Sequence, residues 1–267
     1  MIFLNKKGRG EDKLKGMILA AGMGTRLKHL TENLPKGMVN VHGKSLVGRI
    51  TEKMKRNGIG DVIIIGGYKH EKIDILGTKK YVNTEFADTN MVFSMFCAEK
   101  EFDEGLIVSY GDILFKDRVL QELEKYNGDI VVVADKNWGD YWVRRYGSIN
   151  EDSESFVIDK DNCLVFLGKE NPPEEEMDAR YVGLIKFSKK GLEVAKKIFE
   201  EEKAKDNGGP WRYSKSLRKG YMTDFLQAIV DSGQKVDVML IDRGWLEFDT
   251  VEDYELNLEL MKEDNFD

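Results

Sequence analysis

Three kinds of residue in this sequence have the type and spacing to handle a phosphorylated ligand. They are glycines in a turn after an apolar run, cations just downstream, and carboxylates at expected strand ends. In Met17-Ile-Leu19-Ala20-Ala21-Gly22-Met-Gly24-Thr25-Arg26-Leu27 two glycines share one turn. There backbone N–H groups can approach an anion closely, and the start of a following helix adds partial positive charge. Arg26 can pair with phosphate oxygens. Leu34-Pro35-Lys36-Gly37-Met38 follows, and the proline pre-sets the chain so that the Lys36 ammonium can be held near the loop. Phosphoryl and nucleotidyl transfer rest on positioning and charge neutralisation, usually by Mg²⁺ with few protein ligands. Two carboxylates stand where such ligands could face a crevice. Asp112 comes after the run Leu106–Tyr110 and a glycine, and Asp249 follows an apolar run and precedes a helical pattern. Glu247, two residues earlier in an extended segment, points the same way as Asp249.

Each feature alone has a plainer reading. Gly22 and Gly24 could simply make a tight turn, and a lone lysine is usually solvated. Asp112 could be a turn aspartate, and Asp249 a helix cap, a role Thr250 serves equally well. Two other phosphate motifs fail: Leu27 stands where a dinucleotide fingerprint needs glycine, and Gly37 to Ser45 has one residue too many for a Walker loop. The joint occurrence of all four features, in consistent order, favours the phosphate-binding reading.

The elements that must position these residues follow from periodicity. Met17–Ala21, Asp61–Ile65, Gly105–Tyr110 and Asp129–Ala134 are short apolar runs that read as buried strands. A further short strand spans Lys80–Asn83. Helical patterns intervene at 45–57, 70–76, 90–99 and 116–125, the first with Ser45 as N-cap. This alternation predicts an α/β fold, a doubly wound and mainly parallel sheet flanked by helices. After Asp135 the rhythm changes. Ser155–Asp159 and Cys163–Leu167 read as a hairpin, 170–178 as an exposed loop, Tyr181–Phe187 and Val236–Ile241 as strands, and 189–204, 221–232 and 251–262 as helices. The organisation expected is an N-terminal extension over 1–15 and one domain over 16–267, with a hairpin-and-helix acceptor-binding portion at about 136–235.

Composition narrows the classes. The 267 residues are 41% hydrophobic and 33% charged, enough for a sizeable core. A formal charge of −7, with the charges interspersed, argues against a nucleic-acid partner, which wants a basic face. Only Cys97 and Cys163 occur, without metal or redox spacing, which fits a reducing cytoplasm. No run is long and apolar enough to span a membrane, so a cytoplasmic protein is expected, with a homodimer left open.

The loop Leu19-Ala-Ala-Gly-Met-Gly-Thr-Arg26-Leu27 followed by Pro35-Lys36 resembles the signature of the GT-A-like, Rossmannoid nucleotidyltransferases. Gly111-Asp112 is similar to that superfamily's first metal aspartate, and Glu247-Phe-Asp249-Thr250 with Asp253-Tyr254 to its second. The resemblance covers most of the chain from Met17 to about Leu260. Within the superfamily, Gly66-Gly67-Tyr68, the stretch Ala87–Phe96 and the compact ending Trp245–Tyr254 resemble the short cytidylyltransferases of phosphocholine and aminoalkylphosphonate metabolism. The resemblance implies that Leu19, Ala20, Ala21, Gly22, Gly24 and Thr25 touch the nucleotide, and Arg26 and Lys36 its phosphates. Gly67, Tyr68, Thr89, Asn90 and Ser94 would lie near base and ribose, and Asp112 with Asp249 would hold Mg²⁺. The implied reaction moves CMP from CTP to a small phosphate- or phosphonate-bearing acceptor, such as phosphocholine or an aminoalkylphosphonate, and releases pyrophosphate.

An acceptor phosphate oxygen is already anionic near neutral pH, so no general base is needed. This agrees with the presence of only three histidines, none in a nucleophile–base arrangement. Acceptor recognition falls to Trp138, Tyr141 and Trp142, which could hold an amine by cation–π contact, and to Arg145, beside Arg144, which could hold an anion. The alternative is aromatics covering a hydrophobic edge beside solvated arginines. Two arginines among these aromatics depart from the phosphocholine type. Asp224 could meet an acceptor amine or simply sit in a helix's first turn. Glu247 completes the acceptor candidates. Two other functions compete: a uridylyl-, thymidylyl- or guanylyltransferase acting on a sugar 1-phosphate, and a nucleotide-binding regulatory module without catalysis.

Overall fold

The computed structural model describes residues 13–264 and Phe266. In order the elements are β1 (Leu14–Ala20), β2 (Asn40–Val41), β3 (Lys44–Ser45), α1 (Leu46–Arg56), β4 (Val62–Gly66), β5 (Lys79–Val82), α2 (Met91–Phe96), β6 (Gly105–Tyr110), β7 (Ile113–Phe115) and α3 (Asp117–Lys125). They continue as β8 (Ile130–Asp135), α4 (Gly139–Tyr146), β9 (Glu154–Ile158), β10 (Leu164–Glu170), β11 (Arg180–Phe187), α5 (Lys189–Lys205), α6 (Met222–Asp231), β12 (Asp237–Ile241), β13 (Trp245–Glu247) and α7 (Val251–Glu263).

Seven strands form the main sheet in the order β12-β8-β11-β6-β1-β4-β5. All its pairings are parallel except those of β11, which runs antiparallel to β6 on one side and β8 on the other. The mainly parallel α/β sheet read from the sequence is therefore present. Its inner strands are largely continuous apolar runs because both faces are covered, whereas the edge strand β5 is half-exposed and begins with two lysines. Ile18 and Ala20 of β1 join one core with α1, α3 and Trp142, whereas Met17 and Leu19 join the opposite core with α2, α5 and α6.

Several boundaries move, for identifiable reasons. Residues 1–12 of the expected extension lie outside the described residues, and β1 begins at Leu14, just ahead of the expected division after residue 15. The charged start misled because Lys15 is buried at the sheet's rim, where its ammonium meets Glu101 at 3.1 Å and Asp103 at 2.5 Å. The helix expected over 70–76 shrinks to a single turn, His70–Lys72. Trp138–Tyr146, read only as a possible binding segment, forms α4. The stretch 136–235 also supplies β11, an interior strand of the main sheet. Ser45 does cap α1, its hydroxyl accepting from the Gly48 N–H at 3.1 Å.

Candidate active site

The first strand delivers the glycine turn to the carboxyl edge of the sheet, where open α/β folds bind ligands. After β1, Gly24 adopts a left-handed conformation with φ +68° and opens a tight turn over Thr25–Thr31. A Cβ on Gly24 would stand 2.8 Å from the Lys36 Cβ, so the glycine lets the loop pack directly on the lysine stem. Thr31 closes the turn by donating its hydroxyl to the Gly24 carbonyl at 2.7 Å.

Two short strands missed in the sequence reading bring the distant carboxylates together. β7, just past Asp112, pairs antiparallel with β13, just before Asp249, in the register Trp245↔Phe115 and Glu247↔Ile113. The Phe248 N–H then donates to the Asp112 carbonyl at 2.9 Å. Asp249 is not needed as a helix cap. Thr250 fills that role, accepting from the Asp253 N–H at 3.0 Å, while Asp253 accepts from the Thr250 N–H at 3.0 Å. The Asp249 carboxylate is thereby left for the site.

There the four residues chosen for chemistry meet. The Lys36 ammonium lies 2.6 Å from the Asp112 Oδ2 and also bonds the Asp249 Oδ1, while Arg26 pairs with the Asp249 Oδ2. Burial disfavours a charged Lys36, but Asp112 and Asp249 outweigh it and hold the ammonium above the usual lysine range. Asp249 is pushed above the usual carboxylate range, first by burial and then by its acidic neighbours Glu247 and Asp112, against the pull of Lys36. The Asp112 Oδ1 is buried without a hydrogen-bond partner. Such an oxygen in a native site calls for a ligand.

A cleft opens beside this cluster. Nine of the sequence candidates line it: Leu19, Ala20, Ala21, Gly22, Lys36, Thr89, Asn90, Ser94 and Asp112. Gly37, Phe86, Met91, Tyr110 and Gly111 complete the lining and were missed. The apolar ones carry no chemical signature in a sequence, although Gly111 is half of the Gly-Asp pair that was noticed. Thr25 and Tyr68 face a second, shallower depression. Gly67 and Tyr68 still belong to the neighbourhood, since the Tyr68 N–H donates to the Ala21 carbonyl at 3.1 Å. Asn83, also missed, fixes the polar wall by donating to the Thr89 hydroxyl at 2.9 Å and the Ser94 hydroxyl at 3.0 Å.

The expected acceptor residues fare differently. Tyr141 and Trp142 are buried in the core, with exposures of 2% and 0%, and Trp138 at 7% is nearly so. The Trp142 indole N–H is spent on the Glu151 carbonyl at 2.7 Å. Arg145 is wholly buried as well. It bonds Glu247 at 2.5 Å and both oxygens of Asp253 at 2.7 and 2.9 Å, and it stacks on Trp142 with its guanidinium 4.5 Å from the ring centre. These side chains thus hold up the Glu247–Thr250 segment and offer no free face to an acceptor. Glu247 is half-buried, which opposes its charge, but Arg145 and Arg180 outweigh this and hold its carboxyl below the usual range. Asp224 is 1% exposed and closes the first turn of α6, accepting from the N–H groups of Tyr213 at 3.0 Å and Tyr221 at 3.1 Å. Asp224 thus sits in the first turn of α6, as its plainer reading has it.

A mainly parallel sheet with a glycine turn, a lysine and paired aspartates at its carboxyl edge defines a Rossmann-like nucleotidyltransferase. The model of the MobA-like NTP transferase domain matches residues 16–155. Over 260 residues the chain is 31% identical to a CTP:phosphoglutamine cytidylyltransferase of Campylobacter jejuni, covering 92% of this chain and 100% of the relative. It is 37% identical over 116 residues to a choline-phosphate cytidylyltransferase of Streptococcus pneumoniae, covering 42% of this chain and 51% of that one. The solved structure of the CTP:phosphocholine cytidylyltransferase of Streptococcus pneumoniae superposes with a TM-score of 0.71 at 22% identity, covering 93% of this chain and 99% of the other. That likeness carries the fold. The chain belongs to the MobA-like NTP transferase family and is a nucleotidyltransferase, similar to cytidylyltransferases. Among the described residues no helix is long and apolar enough to cross a membrane.

Proposed function

We propose that the chain transfers CMP from CTP to a small acceptor bearing a phosphate or phosphonate, with Mg²⁺ present and pyrophosphate released. The observation that carries this reading is the meeting of Lys36, Arg26, Asp112 and Asp249 beside the cleft behind the glycine turn. Full-length similarity to a phosphoglutamine enzyme supports the cytidylyl donor and a phosphorylated amino acid as acceptor.

The residues present fit a magnesium ion. Among the described residues no group of three or more His, Cys, Asp or Glu could hold a metal. Two carboxylates, one with an unsatisfied buried oxygen, suit Mg²⁺, which takes one or two protein carboxylates and fills its shell with water and phosphate oxygens. Asp112 and Asp249 would hold it. When bound, the ion would neutralise charge on the α-phosphate and orient the acceptor oxygen.

The cluster of two cations and two anions is close to neutral without ligand. On binding the nucleotide, Lys36 and Arg26 would leave the carboxylates for phosphate oxygens and stabilise the charge growing on pyrophosphate. Ala20 to Thr25 would cradle the triphosphate, with Gly67, Tyr68, Thr89, Asn90 and Ser94 around base and ribose. The acceptor's oxygen forms a bond to the α-phosphorus as the bond to the β-phosphate oxygen breaks, and the electron pair leaves with pyrophosphate. No proton need move.

The test is pyrophosphate release across a panel of NTPs and acceptors. Release with CTP and a phosphorylated amine or amino acid is expected. Turnover with UTP or dTTP and a sugar 1-phosphate instead would overturn the cytidylyl reading. Nucleotide binding without release for any pair would make the chain a binding module.

A further inference from the structure

Two charged side chains at the carboxyl edge have no hydrogen-bond or ion-pair partner among the described residues. Arg180, the first residue of β11, lies in register with Asp135 at the end of β8. Its guanidinium stacks on Trp142, 3.9 Å from the ring centre, and its Nη1 is buried with no hydrogen-bond partner. Glu154, the first residue of β9, makes no hydrogen bond or ion pair among the described residues. Burial raises its pKa above the usual range, and Arg180 pulls it back only in part. The two are electrostatic neighbours held beyond ion-pair distance, an arrangement that costs energy unless something sits between them.

Their position is next to the reaction centre. The charges of both Lys36 and Arg180 act on Glu247, which sits two residues before Asp249. Tyr110, which lines the cleft with Asp112, meets Tyr181 edge to face at 5.9 Å. That contact depends on Gly183, whose φ is +81° and whose Cβ, if it had one, would lie 2.6 Å from the Tyr110 ring. A molecule with its phosphate at the aspartates could therefore reach Arg180 and Glu154 with its other end.

We propose that Arg180 and Glu154 read the acceptor. Arg180 takes a carboxylate, Glu154 takes an ammonium, and the acceptor class is a phosphorylated amino acid. This inference rests on the cytidylyltransferase reading above. A planar fork stacked on an aromatic ring is well suited to a carboxylate. An acceptor with only a quaternary amine would leave Arg180 unanswered, and a sugar phosphate would leave both unanswered.

The experiment is steady-state kinetics on the full chain with CTP, Mg²⁺ and three acceptors: phosphoglutamine, 2-aminoethylphosphonate and phosphocholine. The wild type is expected to prefer phosphoglutamine in kcat/KM. Arg180→Gln should lower kcat/KM for phosphoglutamine about tenfold or more, while 2-aminoethylphosphonate and the KM for CTP stay within about twofold. Arg180→Lys should recover part of the loss. Glu154→Gln, nearly isosteric, should weaken both primary-amine acceptors and provides the test if Arg180→Gln fails to fold. A uniform loss across all acceptors, no loss, or a wild-type preference for phosphocholine overturns the proposal while leaving the cytidylyltransferase reading intact. No CTP-dependent pyrophosphate with any acceptor defeats that underlying reading instead.

Discussion

Two charged clusters near the carboxyl edge of the sheet satisfy their charges in opposite ways. Beside the glycine turn every charged group has an opposite partner within reach: Lys36 between two aspartates, Arg26 on one of them. Around Glu247, Arg145 is fully paired and its side chain buried, whereas Arg180 and Glu154 stand unpaired. The difference separates residues that hold the site in shape from residues left for a ligand. A buried, satisfied arginine is scaffolding; a stacked arginine with an idle N–H is a reader.

The largest effect should come from the cluster beside the glycine turn. Lys36→Ala or Asp249→Asn is expected to lower kcat by about 10³-fold, with far-UV circular dichroism unchanged, because both act on charge that develops in the transition state. Near wild-type pyrophosphate release in both variants would dissolve the contrast. Next is Arg145→Met, which should cost roughly 3–5 kcal/mol in urea unfolding, since Glu247 and Asp253 would lose their buried partner. A loss confined to acceptor KM, at unaltered stability, would return Arg145 to the readers. Thr250→Ala should cost about 1 kcal/mol through the lost α7 cap and, by loosening Asp249, should lower kcat more than it raises the KM for CTP.

The smallest effect uses the rim opposite the cleft as a control. Hydrogen bonds from Lys79 and Tyr81, helped by Lys15, hold Glu101 down to about 2 from its ordinary 4.5. A depressed folded-state pKa contributes stability that is complete above the unfolded value and lost as pH falls toward the folded one. Glu101→Gln should therefore flatten the loss of stability between pH 4.5 and about 2 and leave activity at neutral pH unchanged. A parallel drop in kcat would mean that the rim is coupled to the site.

The legible part of the molecule is the part where local rules and tertiary environment agree. β6 at Gly105–Tyr110 and the cap at Ser45 were read directly, and the sheet's inner strands stood out because burial on both faces makes them largely continuous apolar runs. Lys36, Asp112 and Asp249 were found because type and position at strand ends signal chemistry. The rest depended on partners distant in the chain. β7 and β13 are three residues each, too short for any periodicity, and acquire meaning only in their pairing. Tyr141, Trp142 and Arg145 have the composition of a binding patch, but burial of α4 against α7 and β13 turns them inward. Arg180 was passed over because the reversal of β11 could not be seen. In a parallel strand its first residue would lie at the rim away from the cleft.

That reversal constrains how this scaffold could change its preferences. Over its second half, Ile185–Phe187, β11 pairs with β6 on one side and β8 on the other, so inserting or deleting a residue there would turn its inward side chains outward and break two pairings at once. A descendant adapting to a new acceptor would therefore change side chains at fixed backbone positions along that half of the strand, trading one functional group for another, before it changed the strand's length.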